Sequence, residues 1–378
     1  MVNFTKDSNK RMKRISFVIM ITFVVFSSEV ISFLLLNSFP NLSYDKNKIS
    51  QTAEEYIEKR DSVLGWDKVV NKYGNSRILP NRDYVNNKSK QIDFYGDSYT
   101  YGAEVDNDNL IWTNLISKEL NIIVNNKGVG GFGSDQSYLK YIINENPSDI
   151  VVLNHLSENI IRNVNQFRHL IYPSNSYDLK PRFISESDSL KLIRIPNIDS
   201  SFIDFKNNPN KYLKHEFFSI GSESGIYPKK FPYSFTLLKS LISNWKIKSL
   251  FGYFSGYQPF YNINHKSEGL KITKLILESF VYESKKRGVT PIVTILPTYR
   301  DFEYYGKYNY FPYQKLIEKL DSSLLIIDYG SKIIRRQDQF NLKEILNLYK
   351  TKHGHMNENG HKILSSIFSD FVKKNKLI

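Results

Sequence analysis

Ile15 to Leu36 is a run of 22 mostly apolar residues with Glu29 as its one charged member. As a helix it would extend roughly 33 Å, about the hydrocarbon thickness of a bilayer. Lys6, Lys10, Arg11, Lys13 and Arg14 precede it, and no basic residue follows until Lys46. Basic flanks stay on the cytoplasmic side, so the pattern predicts a cytoplasmic tail at 1–14, a transmembrane helix at 15–36 and everything later outside the cytoplasm, periplasmic or at the cell surface. A cleaved leader with its site near Ser27-Ser28 is the alternative.

Residues 37–90 are polar and interrupted by Gly65, Gly74 and Pro80. They read as a stalk and entry segment, with a short helix over Gln51 to Arg60. A strand–helix rhythm then begins. Strands are predicted at Gln91–Tyr95, Ile122–Asn125, Asp149–Asn154, Pro291–Leu296 and Leu324–Asp328. Helical spacing marks Asn109–Leu120, Ser134–Glu145, Glu268–Arg287, Tyr313–Leu320 and Asn357–Lys373. Short, continuously apolar strands alternating with helices call for a parallel sheet covered on both faces. The expected fold is an α/β three-layer α/β/α sandwich with a flavodoxin-like parallel sheet of about five strands. Between 163 and 267 the rhythm lapses into a stretch rich in Tyr, Phe, Pro and Lys, too long for an ordinary loop. It reads as an insertion at the rim of the site or a structural excursion.

Composition changes this picture little. Hydrophobic residues make up 41% of the chain, enough for a sizeable core. The absence of cysteine excludes disulfides, thiolate metal sites and a cysteine nucleophile. The net charge of +14 comes from scattered lysines without a recognition-helix or zinc-finger pattern, so no nucleic-acid partner is expected.

Candidate chemistry lies at the strand ends. Gly96-Asp97-Ser98 follows the first strand, where ligands bind in an open parallel sheet, and a hydroxyl there needs a base to act as a nucleophile. The glycine-rich turn Asn126–Gly133 follows the second strand and could present backbone N–H groups to an oxyanion; it lacks the Gly-Lys-Ser/Thr ending of a phosphate loop. Asn159, after the third strand, could donate a further hydrogen bond, and Arg162 could steady that loop or meet an anion. His353, His355 and His361 cluster where the last helix opens. Without a neighbouring set of acids or cysteines they do not read as a metal site, and no cofactor is expected.

These four blocks, in this order and each after a strand, resemble the SGNH (GDSL-type) hydrolase superfamily from about Gln91 to the C-terminus, a hydrolase domain at 91–378 with the insertion at 163–267. The resemblance implies Ser98 as nucleophile and His355, within its His-x-Asn pattern, as base. It implies an oxyanion hole from Ser98, Gly131 and Asn159, with Asp97 in a structural role. The family's orienting aspartate two or three residues before the histidine is missing, since His353 and Lys352 stand there. A Ser–His dyad held by a backbone carbonyl, a substitute carboxylate such as Glu358 or one from the insertion, or lost activity would each fit. The resemblance further implies an esterase or O-acyltransferase acting on acylated, in particular acetylated, envelope carbohydrate or another small ester. A non-catalytic carbohydrate-binding protein and a lipase or thioesterase are the alternatives.

Overall fold

The computed structural model describes residues 2–66, 90–243, 256–336, 341–352 and 354–378. Helix α1 (Val2–Ser38) stands at the N-terminus. Strand β1 (Gln91–Tyr95) leads into the short helix α2 (Ser98–Tyr101) and then α3 (Trp112–Leu120). Next come β2 (Ile123–Asn126), α4 (Ser134–Ile142), β3 (Ile150–Leu156) and α5 (Asn159–Arg162). The insertion contributes α6 (Tyr233–Ser243). The core resumes with α7 (Gly269–Lys286), β4 (Thr290–Leu296), α8 (Tyr299–Tyr308), β5 (Ile326–Asp328), α9 (Tyr329–Ile334) and α10 (Glu358–Lys374).

The five strands form one parallel sheet in the order β2-β1-β3-β4-β5. This is the flavodoxin-like order, in which the chain reverses direction of growth between β1 and β3. Alternation along β1 shows why both faces must be covered. Phe94 packs on one face against Trp112 of α3 and Phe368 of α10, each at a ring separation of 4.9 Å. Tyr95 points to the other face, against Tyr141 of α4, which in turn meets Phe280 of α7. Every residue of β3 is buried, as a central strand with helices on both sides requires.

The predicted elements lie within a few residues of the observed ones. Asn109 and Leu110 form a 3-10 turn ahead of α3 rather than its first turn, because Asn107 caps that turn separately. Residues 39–66, read as a stalk, lie against the domain: Ser43–Tyr44 pairs in parallel with Tyr227–Pro228, and Tyr44, Ile49 and Tyr56 are buried. The insertion is likewise packed. Its hairpin Arg182–Glu186/Ser189–Ile193 turns on Ser187 and Asp188, both with left-handed φ, as a two-residue turn demands. Lys180 is buried and reaches the carboxylate of Asp135 in α4 and the carbonyls of Arg162, Asn165 and Pro181, tying the insertion to the core.

Two buried histidines give the fold an acid sensitivity. His155 bridges Ser134 and Tyr261, and burial pushes its pKa down to about 3. Burial also pushes His169 down to about 4. Both bind protons more readily when unfolded, so their contribution is complete above the ordinary histidine pKa near 6.5 and is lost as pH falls below it. Each should steepen the fall in unfolding free energy by up to about 1.4 kcal/mol per pH unit. Urea unfolding of the full chain at pH 7 and pH 5 should show this loss, and His155→Gln should reduce the slope by about one proton.

Candidate active site

The site forms where the carboxyl ends of β1, β2 and β3 meet. Gly96 ends β1 where a Cβ would collide with Thr100 Oγ1 at 1.9 Å, so the chain can turn there only as glycine. Asp97 caps α2 by accepting from the Tyr99 N–H at 2.9 Å. That leaves Ser98 as the first residue of the helix, with its side chain in a cleft of about 310 Å³.

His355 arrives from the opposite side. Its loop is fixed by Tyr99, whose hydroxyl donates to the Gly354 carbonyl at 3.1 Å and whose ring lies 4.9 Å from the imidazole. Asn357 follows as the cap of α10, accepting from the N–H groups of Asn359 and Gly360. His355 Nε2 then sits 2.8 Å from Ser98 Oγ. His361, the third histidine of the cluster, accepts from the Trp112 N–H inside the fold. His353 lies outside the described residues. Among the described residues no group of three or more His, Asp or Glu could hold a metal ion.

The carboxylate brought to this imidazole is Glu104, which the sequence did not single out. Its Oε1 lies 3.1 Å from His355 Nδ1, at ion-pair rather than linear hydrogen-bond geometry. Its Oε2 accepts from the His355 backbone N–H at 3.3 Å. Burial alone would raise the Glu104 carboxyl, but the hydrogen bonds and charge of His355 outweigh it and hold the group below the usual range. Glu358, the named substitute, is exposed at the start of α10. Glu104 has a φ of +66°, a left-handed conformation that costs a glutamate about 1–2 kcal/mol. It is therefore held in place by its surroundings, Gly102 at +84° just before it completing the turn.

Of the other predicted residues, Gly131 and Arg162 line the same cleft. Gly131 has a φ of +80°, and its backbone lines the cleft. Asn159 is wholly buried at the start of α5, and neither its amide nitrogen nor its oxygen has a hydrogen-bond partner among the described residues. A buried unpaired amide costs about 1–3 kcal/mol, which is characteristic of a group awaiting a partner in a functional complex. Arg162 is buried rather than exposed. It donates to Asp97 Oδ2 at 3.2 Å, to the Phe132 carbonyl at 2.9 Å and to Glu158 Oε1 at 2.9 Å. Burial opposes its charge, yet Glu158, Tyr172 and Asp97 outweigh that effect and raise its pKa further. Burial raises the Asp97 carboxyl above the ordinary range, with Arg162 opposing.

Residues of the insertion complete the walls. Arg168 and Tyr172 line the cleft together with Tyr257, the guanidinium of Arg168 lying 5.1 Å from the Tyr172 ring centre. Tyr257 donates to Asp301 at 2.8 Å, and burial pushes the Asp301 pKa up to about 6. Arg300 and Lys352 add positive charge to the rim. A hydroxyl on an imidazole backed by a carboxylate, in a cleft shared with a left-handed glycine, is an arrangement suited to acyl transfer.

No protein-family model and no curated protein matches the chain. Solved structures that resemble it are distant. A protein from Desulfitobacterium hafniense DCB-2 described as a lipolytic protein of the G-D-S-L family shares 12% identity over 75% of this chain and 99% of its own, with a TM-score of 0.31. One from Bacteroides fragilis NCTC 9343 described as an acylhydrolase shares 15% identity over 77% of this chain and 90% of its own, with a TM-score of 0.35. A two-domain esterase active on acetylated mannans shares 11% identity over 76% of this chain and 50% of its own, with a TM-score of 0.32.

Two substitutions separate the roles of these groups. Arg162→Met leaves Asp97 and Glu158 without their buried partner and should lower unfolding stability by about 3–5 kcal/mol, read from urea midpoints. Glu104→Gly removes the carboxylate and the left-handed strain together. It should lower kcat for a small ester by at least about 10²-fold while leaving the urea midpoint unchanged or higher. A large loss of stability would show that Glu104 holds the fold rather than the histidine.

Proposed function

We propose that the chain is a membrane-anchored SGNH-type serine hydrolase or O-acyltransferase that acts outside the cytoplasm on acyl, in particular acetyl, esters of envelope carbohydrate. The observation that carries the chemistry is the line Glu104–His355–Ser98, with contacts of 3.1 and 2.8 Å. Neutral His355 takes the Ser98 proton as Oγ attacks the ester carbonyl. The negative oxygen of the tetrahedral intermediate is received by the backbone N–H groups of Ser98 and Gly131 and by the Asn159 amide. The intermediate collapses, His355 passes its proton to the departing alcohol, and an acyl-enzyme remains. Water or a sugar hydroxyl, deprotonated by the same histidine, then accepts the acyl group. Glu104 keeps the imidazole oriented and offsets its charge while it holds the proton.

The cleft favours a small acyl group on a polar carrier over a long-chain lipid. It is about 310 Å³ and lined by tyrosines, arginines and Glu158. The half-buried rings of Tyr172 and Tyr299, which line the cleft, suit stacking on sugar rings. An apolar cavity of about 720 Å³ along α1 contains none of the site residues. Glu104 also answers the missing aspartate, the main support for a non-catalytic reading. The anchor is the stretch of α1 from Lys10 to Ser38, long and apolar enough to cross a membrane, with the basic tail on the cytoplasmic side.

The full chain in detergent should hydrolyse p-nitrophenyl acetate, and a fluorophosphonate should label Ser98. Ser98→Ala should abolish both. Equal hydrolysis by the Ser98→Ala protein would overturn the enzyme reading. Asn159→Ala should lower kcat by about 10²–10³-fold with little change in KM, as expected of a donor that acts on the developing oxyanion.

A further inference from the structure

Glu29 is the one charge in the apolar stretch of α1, and its carboxylate is engaged. It accepts from the backbone N–H of Tyr233 at 2.6 Å, from the N–H of Ser234 at 3.3 Å and from the Ser234 hydroxyl. These groups open helix α6 of the insertion, so a residue of the candidate membrane span caps a helix that lies some 200 positions later in sequence. Seven residues separate Glu29 from Leu36, roughly 10 Å along the helix axis. The contact therefore lies well inside the apolar stretch. Nearer its outer end, Phe33 packs on Tyr233 with ring centres 5.0 Å apart, and Lys229 donates to both Asn37 and Asp45.

Helix α6 is amphipathic in the inverted sense. Its inward positions are the small polar residues Thr236 and Ser240, at most 3% exposed. Its outward positions are Phe235, Leu238, Leu241 and Ile242, each more than 40% exposed, and Phe231 just before it is 69% exposed. A helix on an aqueous surface shows the opposite arrangement. The start of this segment adjoins the bare apolar surface of α1: Phe231 and Tyr233 share one open apolar cavity of about 720 Å³ with Val25, Phe26 and Phe33.

We infer that residues 229–243 form a second membrane-embedded element, a re-entrant segment that enters the bilayer beside α1, with lipid acyl chains occupying the apolar cavity between them. This rests on α1 being retained as a membrane anchor. Within hydrocarbon both an unpaired carboxylate and an uncapped helix start would be costly, and Glu29 with the first N–H groups of α6 satisfies both at once. The contact accounts for the single charge in the span and for the apolar outer face of α6 together.

The chain has no cysteine, so single-cysteine variants can be labelled cleanly. Full-length Leu238→Cys, Val24→Cys and Ser189→Cys proteins, each carrying an environment-sensitive fluorophore, would be reconstituted in phosphatidylcholine–phosphatidylglycerol vesicles. Spin-labelled acyl chains should quench the labels at 24 and 238 and spare the one at 189; aqueous iodide should do the reverse. A label at 24 shielded from iodide with a label at 238 open to it would overturn the inference and leave the anchor standing. Labels at 24 and 238 both open to iodide would overturn the two together. Adding Glu29→Ala should shift the label at 238 toward water while the label at 24 stays shielded, and an unmoved label at 238 would refute the tie through Glu29.

Discussion

The site depends on one buried guanidinium. Arg162 binds the acid that caps the helix of Ser98, a carbonyl of the glycine-rich turn and a glutamate beside Asn159. These three partners come from the loops after β1, β2 and β3. Such loops share an edge of the sheet but few backbone hydrogen bonds, here the Val129 N–H to the Gly96 carbonyl at 3.0 Å, so side chains set much of their relative position. A planar group with five donors can hold three acceptors at fixed angles, which a lysine cannot do. The charge is balanced where it stands, by Asp97 and Glu158, and the cost of burying it is met within a few ångströms.

The insertion is built into the same arrangement. Lys180 reaches the carbonyl of Arg162 itself, and Tyr172 donates to Glu158, so the polar groups that order the loops also order the long excursion that walls the cleft. Tyr257 and Ser157 share Asp301 in the same way on the other side. The cleft is thus bounded by elements distant in sequence and joined through buried polar contacts, which are directional and specify one arrangement more sharply than apolar packing does.

Much of this was legible in the sequence, and the parts that were not have a common cause. The sheet and its five strands follow from local apolar patterning. The positions of Ser98, Gly131, Asn159 and His355 follow because each lies directly after a strand or before a helix, where local chemistry dictates the turn. Glu104 carried no comparable signal. It sits in a run with Asp106 and Asp108, and only the left-handed turn after α2 aims it at a histidine some 250 residues away. The burial of Arg162 was equally hidden, since the partners that neutralise it come from three loops. The packing of residues 39–66 against the domain was hidden for the same reason: the pairing partner, Tyr227–Pro228, is remote. Sequence patterning reports what neighbours along the chain decide, and these features are decided across it.

The placement of Glu104 changes the polarity of the cleft. With the carboxylate supplied from beside the nucleophile, the residues ahead of His355 are released from carrying an acid. Lys352 occupies that ground, lines the cleft and pairs with Glu303 at 3.0 Å. Glu104 stands by the histidine on the side of Ser98, and Lys352, Arg300 and Arg168 bring positive charge to the lining of the same cleft. The lining is thus mainly basic while Glu104 is engaged by the imidazole, a setting that attracts electron-rich groups.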